Sequence, residues 1–589
     1  MARVLPTMAV PTAGARRSLS RDRAVVCLIL ACYLLAAVAV TWRLWADPAS
    51  RVVAGNPNDA NLFAWFLRYD ATAVAHGRLP ALVTAAMNAP QGVNVMWNTF
   101  LLLPGVLLAP VTLLLGPQTT LIVLLTVGFA GSAASMFYVL RRWEVSLSAA
   151  AIAGAVYGFS PALLHASIGH YDLPLAILPP LIIDAVLRLC LRSQAPVRDG
   201  LWLGLLVTAQ LFIAEELLLF TGIAGLLLVA VLAAGQPRAA VSRCRTTAAG
   251  LGVAAGVTLL LSGYALWVQF FGPLTQRGSA FLPDFFKNDL ASFVTPSRYL
   301  LFHTAGSAAA AARYQGGAPE YLAYLGWPLI AVLAAVTLAF WRQPAVRAAA
   351  VTLAGLELLS LGGHPLVDGT PQPGITLPWH WLESVPVIGS ALPDRFSIVA
   401  DGMAAVLLAY GLDLARSRAA SIRHGGALVT AGAVIACLPL IPGPLPAAAA
   451  APLPAGWSAA FTALRLPADA RVLVVPVPTA TLTAPLRWQA DTGEPGSLIG
   501  GYFTGPAWNG RAYVEGNGVA ATAQYLDGLW SGGPAAAAPS PTQLKTDLDT
   551  WQPAAVVAVT SPDSALGRYL ARLFGRPPIH AGSVLAWRL

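Results

Sequence analysis

The stretch LWLGLLVTAQLFIAEELLLFTGIAGLLLVAVLAA, Leu201 to Ala234, decides the class of this chain. The hydrocarbon core of a bilayer is roughly 30 Å thick and is crossed by about 20 apolar residues of helix. This run is far too long for one crossing, and Glu215 and Glu216 stand at its middle. A carboxylate held in mid-membrane costs about 2.5–3.5 kcal/mol on insertion scales. The economical solution is two spans with the glutamate pair at their outer junction.

The same measure applied in both directions predicts an all-α polytopic membrane domain of about eleven transmembrane helices. Before the pair lie Ala24–Val40, Thr119–Leu140, Ala149–Ala166 and Leu175–Leu189; after it come Thr247–Phe270, Tyr321–Phe340, Val346–Leu361, Phe396–Leu414 and Gly426–Leu440. With 57% hydrophobic and 11% charged residues over 589 positions, lipid is the solvent for most of the chain.

The formal charge of +9 could suggest nucleic acid. The basic residues instead cluster between alternate spans: Arg141 and Arg142; Arg188, Arg192 and Arg198; Arg238, Arg243 and Arg245; Arg342 and Arg347; Arg416, Arg418 and Arg423. That alternation is the positive-inside rule in one consistent phase, so the charge encodes topology and argues against nucleic acid. Arg16, Arg17, Arg21 and Arg23 precede the first span, which ends in Trp42, Arg43 and Trp45. Residues 1–23 are therefore expected as a cytoplasmic tail before an uncleaved anchor.

The expected organisation is a transmembrane domain over 24–443 with large outer loops 46–118 and 272–320, then a linker 444–454 rich in Pro and Ala. An extracytoplasmic α/β domain over 455–589 follows. Leu101–Leu115, with Pro104, Gly105 and Pro110, is too short to cross and is expected at the outer interface. In the last region RVLVVPVP (Arg471–Pro478), AAVVAVT (Ala554–Thr560) and SVLAWRL (Ser583–Leu589) predict buried strands, with a helix over Ser564–Leu573. The five cysteines form no disulfide framework or metal spacing.

Candidate chemistry gathers in the outer segments. In NPNDANLFAWFLRYD (Asn56–Asp70), Asp59 opens an amphipathic run in the first outer loop. It is the leading candidate for a general base; the alternative is a helix cap formed by Asn58 or Asp59. His170 and Asp172 in SIGHYDLP form a second outer site, suited to a substrate hydroxyl or a metal. One imidazole and one carboxylate are too few ligands to establish a metal. Glu215 and Glu216 point about 100° apart on a continuous helix, so one at most faces a cavity unless the helix breaks. Arg68, Lys287, Arg298 and Arg395 are outer-side cations. GYFTGPAWNGRAYVEGNG (Gly501–Gly518) sets aromatic rings among glycines and amides, a composition that suits sugar stacking and also ordinary turns around buried rings.

Together NPNDANLFAWFLRYD, NAPQGVNVMWNT (Asn88–Thr99), GFSPALLHASIGHYDL (Gly158–Leu173), AEELLL (Ala214–Leu219) and LPDRFSIVADGMAAVLLAYGLDL (Leu392–Leu414) give the chain an order of motifs over roughly residues 20–415. That order resembles the GT-C superfamily of membrane glycosyltransferases, which includes protein O-mannosyltransferases, oligosaccharyltransferases and aminoarabinose transferases; the first-loop motifs look like those of multispanning actinobacterial members. The resemblance implies a polyprenyl-phosphate sugar donor and a glycan, lipid or protein acceptor of the cell envelope. It also implies inverting transfer on the outer face, with Asp59 taking the acceptor proton and His170, Asp172, Glu215, Glu216, Arg68, Arg298 and Arg395 binding substrate. No cofactor is required by the motifs, and a divalent metal ion is admitted by the family. This chain departs from the pattern in lacking a paired Asp-Glu or Asp-x-Asp in the first loop, since Ala60 and Asn61 follow Asp59.

Two other classes remain open at this stage. A transporter or lipid-carrier flippase would place ionisable residues near the midplane, where Asp184, Glu357 and Asp401 are the residues to watch. A non-catalytic envelope assembly protein retaining the fold would account for the missing acidic pair.

Overall fold

The computed structural model describes residues 15–98, 100–282, 284–533 and 537–589, so most of the expected cytoplasmic tail lies outside the described residues. The architecture is mostly helical. Among the described residues six helices are long and apolar enough to cross a membrane: Arg23–Trp45, Pro117–Arg142, Leu147–Ala166, Glu215–Gly235, Pro237–Phe271 and Pro393–Ser421. The five other stretches expected as spans hold shorter helices of 13 to 17 residues: Leu178–Leu191, Pro196–Leu211, Trp327–Phe340, Pro344–Ser360 and Gly425–Cys437. The long apolar run breaks between Leu211 and Glu215, and the glutamate pair supplies the first turn of the second helix. Carboxylates there face the positive end of the helix dipole.

The expected interfacial segment divides into two short helices, Leu102–Leu107 and Ala109–Leu115. The helix Pro237–Phe271 begins ten residues before the expected span at Thr247 and reaches back through the basic cluster.

The chain separates into two compact units. Unit 1 comprises 1–46, 122–261 and 283–446 and holds most of the helical bundle. Its centre is Phe396–Arg418, buried along almost its whole length from Phe396 to Leu412. Small residues permit close packing within this unit: a Cβ at Gly158 would come within 2.4 Å of Ala133, and one at Gly411 of the central helix within 2.5 Å of Val336.

Unit 2 comprises 47–121, 262–282 and 447–589. The sequence expected 455–589 as a domain of its own; in the structure these residues share a compact unit with the first outer loop. The five-stranded sheet runs in the order Ile579–Ala581, Val584–Arg588, Ala555–Val559, Arg471–Val475, Ser497–Leu498. The central pair, Arg471–Val475 and Ala555–Val559, is parallel, with Val472 opposite Ala555. A parallel pair is covered on both faces, which is why both strands are nearly continuous apolar runs. Leu566 and Leu570, one turn apart on the helix Ala565–Phe574, pack with Leu473, Val556, Leu585 and Trp587 in the core.

The first-loop helix Pro57–Ala75 joins this region through one polar stripe. Asn58, Asn61, Trp65 and Arg68 recur at three- and four-residue steps and therefore share a face. Asn58 and Asn61 bond the Thr483 hydroxyl at 2.9 and 3.0 Å. Trp65 donates to Gln489 at 2.9 Å, and Arg68 Nε donates to the Ala490 carbonyl at 2.6 Å. A short antiparallel pair, Arg51–Val53 with Ala447–Ala449, adds a second tie within the unit.

Candidate functional site

Two carboxylate centres stand out, one in each unit. In unit 2 the helix Pro57–Ala75 is capped by Asn56, whose side chain accepts from the Asp59 amide at 3.3 Å, with Pro57 in the first turn. The expected cap at Asn58 or Asp59 is corrected: a proline at the first helical position places the cap one residue before it. Asp59 lies three residues into the helix and is half-buried. Its carboxylate accepts from Asn56 Nδ2 at 2.6 Å and from the Tyr502 hydroxyl at 2.7 Å. Burial and the adjacent Asp59 carboxylate push the Tyr502 phenol well above its ordinary range, so this hydroxyl stays protonated and donates. Asp70, further along the same helix, is fully buried; a Cβ at Gly105 would come within 2.0 Å of its carboxylate. Burial raises its carboxyl well above the usual range.

In unit 1 the centre is Arg395. The turn Pro393–Arg395 leads into the helix Phe396–Arg418 and delivers the guanidinium to side chains from three other segments. Nη1 donates to Glu216 at 2.6 Å, and Nη2 to Glu320 at 2.8 Å. The second oxygen of Glu216 accepts the Leu392 amide at 2.5 Å, closing a ring back to the arginine's own turn. His170 Nε2 lies 2.9 Å from Glu320 and 3.1 Å from Arg395 Nη2. Protonated, that nitrogen donates to Glu320; unprotonated, it accepts from Arg395.

Glu320 is only 4% exposed at its side chain. Burial alone would raise its carboxyl, but Arg395 and His170 together hold it below the ordinary carboxylate range. Asp172 is buried and one of its oxygens has no hydrogen-bond partner among the described residues. Burial raises its carboxyl to about 6, against the opposing pull of His170 and Arg395.

The loop that carries His170 and Asp172 is pinned by hydroxyls from the bundle. Tyr157 donates to the Ala176 carbonyl at 2.9 Å, and Ser135 to the Ile177 carbonyl at 2.5 Å. A Cβ at Gly128 would sit 2.7 Å from the Pro174 carbonyl, so a glycine is needed for that approach. The Glu320 segment is held by His165, whose Nδ1 lies 2.9 Å from the Ala318 carbonyl and whose Nε2 lies 2.8 Å from the Ser297 hydroxyl.

Of the sequence candidates, the structure gathers His170, Asp172, Glu216 and Arg395 in one place. Glu215 opens the same helix and is turned about 100° from Glu216. Arg298 is exposed beside Tyr299, to which it donates at 2.8 Å. Arg68 belongs to the polar stripe in unit 2. Lys287 is paired with Asp284 at 2.6 Å. Glu320 was not foreseen; its signal was a lone acidic residue beside Gly317, Ala318 and Pro319, where a turn could aim it inward. Among the described residues no three His, Cys, Asp or Glu side chains are grouped as metal ligands.

No family model and no curated protein matches the sequence. Solved structures do match. The archaeal oligosaccharyltransferase AglB from Archaeoglobus fulgidus, in complex with an inhibitory peptide and a dolichol-phosphate, aligns over 91% of this chain and 69% of its own. The TM-score is 0.51 at 12% identity. The arabinofuranosyltransferase AftD from Mycobacteria aligns over 96% of this chain, with a TM-score of 0.52 at 15% identity. The fold is that of the GT-C glycosyltransferases. This chain spans 41% of AftD's length. ArnT from Cupriavidus metallidurans aligns over 96% of this chain and 98% of its own, at a TM-score of 0.46. A GT-C fold with six long apolar helices makes the chain a multi-pass membrane protein.

Proposed function

We propose that this chain is an inverting membrane glycosyltransferase that moves a sugar from a polyprenyl-phosphate donor to a cell-envelope acceptor on the outer face. The observation that carries the reading is the GT-C fold extending over more than nine-tenths of the chain. AglB, one of those neighbours, holds a dolichol-phosphate, which supports a lipid-phosphate carrier here.

Asp59 is the proposed general base. Attack of an acceptor hydroxyl on the anomeric carbon releases a proton as the bond to phosphate breaks, and a carboxylate fixed by Asn56 and Tyr502 is oriented to receive it. A positioned base contributes about 10²–10⁴ in rate. The departing phosphate needs hydrogen-bonding or cationic help. Arg298 is exposed and Arg68 half-exposed, which fits them to anionic ligands; Arg395 is engaged by Glu216 and Glu320, which fits it to holding the outer segments in place around Asp172 and His170.

Asp59→Asn keeps the size of the side chain and removes its basicity. Transfer from a polyprenyl-phosphate sugar in membranes should fall by about 10²–10⁴ while expression and melting temperature hold. Full transfer by this variant would return Asp59 to a structural role. The proposed topology, with the N-terminus cytoplasmic and residues after 447 outside, is checked separately. An exposed Ser458→Cys should react with a membrane-impermeant thiol reagent in intact cells; protection there until lysis would invert the map.

A further inference from the structure

Unit 2 contains a cleft of about 310 Å³ that none of the preceding chemistry uses. Its walls come from Asn88–Asn94 of the first outer loop, from Val477–Thr479, and from the glycine-rich segment Gly500–Ala520. The volume is at the lower end of what small-ligand sites occupy.

The cleft is built by close backbone approaches. A Cβ at Gly500 would lie 2.7 Å from the Pro478 carbonyl, and one at Gly501 would lie 2.3 Å from Met87. Glu515 is held at φ 61, a left-handed conformation that L side chains rarely adopt. It is fixed there by its amide, which donates to the Phe503 carbonyl at 2.8 Å. One of its carboxylate oxygens accepts from the Ala480 amide. Asn517 accepts from the Trp508 amide at 2.6 Å, which leaves its NH₂ group to donate elsewhere.

The chemistry of the lining selects the ligand. Phe503 and Trp551 supply aromatic side chains to the wall, Asn88, Gln91 and Asn517 supply amides, and Glu515 supplies an acceptor. Among the described residues no lysine or arginine lines the cleft, so a phosphate or other anion would meet carboxylates and no counter-charge there. Hydroxyl-rich, neutral rings satisfy amides and a carboxylate at their edges and apolar side chains at their faces.

We infer that this cleft binds one or two residues of a neutral glycan, and that it holds the growing or finished chain beside the transferase. The second half of that assignment rests on the glycosyltransferase reading; the first does not.

Two substitutions separate the cases. Thr550→Trp places bulk in the cleft from an exposed helical position whose hydroxyl only back-bonds to the Thr546 carbonyl, so the fold is spared. Glu515→Gln removes the charge at constant size. With full-length protein in nanodiscs, saturation-transfer NMR is run on neutral trisaccharides built from glucose, mannose, galactose or arabinose, on tri-galacturonic acid and on a neutral hexapeptide. At least one neutral trisaccharide should bind, with affinity lowered at least tenfold by Thr550→Trp and about threefold to tenfold by Glu515→Gln. Binding by none of them, binding unmoved by both variants, or preference for the anionic sugar or the peptide would each overturn the assignment. Glycan binding in a protein that transfers no sugar from any polyprenyl-phosphate donor would sustain the cleft and sink the transferase reading alone.

Discussion

Asp59 and the Arg395 centre are both built on carboxylates, and the structure partners those carboxylates in different ways. Asp59 is half-buried, and its carboxylate accepts from an amide at 2.6 Å and a phenol at 2.7 Å. Around Arg395, two carboxylates and an imidazole close on one guanidinium within 3.1 Å. A neutral donor orients a carboxylate without cancelling its charge, whereas a matched cation pairs with that charge. The lesson is that a carboxylate's usefulness as a base is set by what fills its lone pairs.

The sharpest break in this comparison is between a variant that loses rate and one that loses the fold. Beside the loss of transfer expected for Asp59→Asn, Arg395→Ala should cost about 3–5 kcal/mol of stability, because buried Glu320 and part-buried Glu216 then lose the guanidinium that pairs with both. A melting curve in detergent checks this. An unchanged melting temperature would mean that the guanidinium is not what holds the outer segments.

Asp172 sharpens the comparison by pH. Its folded carboxyl titrates at about 6, above the ordinary value of 3.8. Below the ordinary value both states are protonated and the group is neutral to stability. Between about pH 4 and 6 the unfolded chain gives up its proton first, so the penalty on the folded state grows and then levels off at roughly 3 kcal/mol at about 1.4 kcal/mol per pH unit. Asp172→Asn should flatten stability across that window. A wild-type profile already flat there would remove the buried carboxyl from the account.

The smallest effect is expected at Tyr502→Phe. Losing one hydrogen bond to the Asp59 carboxylate costs about 0.5–1.5 kcal/mol, so transfer should fall by roughly threefold to tenfold with the same sugar donor. A loss equal to that of Asp59→Asn would make the phenol itself part of the chemistry.

Local features were legible in the sequence. The break before Glu215 followed from helix length against bilayer thickness, and the sheet strands from unbroken apolar runs. The helical character of Leu101–Leu115, too short to cross, was read the same way. Partnerships were not. Nothing local says that Arg395 meets Glu216 and Glu320, because those pairs join residues 179 and 75 positions apart. Glu320 was passed over since one acidic residue in a Gly-Ala-Pro context carries no periodic signal. The cap at Asn56, one residue before either alternative, was legible too, because Pro57 marks the first helical position.

The polar stripe on Pro57–Ala75 has a consequence for biosynthesis. Asn61, Trp65 and Arg68 find their partners 422 to 424 residues later in the chain. At ribosomal rates of about 5–20 residues per second, these groups emerge roughly 20–85 s before the segment that satisfies them exists. The first outer loop therefore waits through the synthesis of the whole membrane bundle with an unpaired amphipathic helix. A truncated product that ends before Thr483 would carry that face permanently uncovered, marking incomplete chains for chaperones or proteases on whichever side of the membrane the loop is delivered.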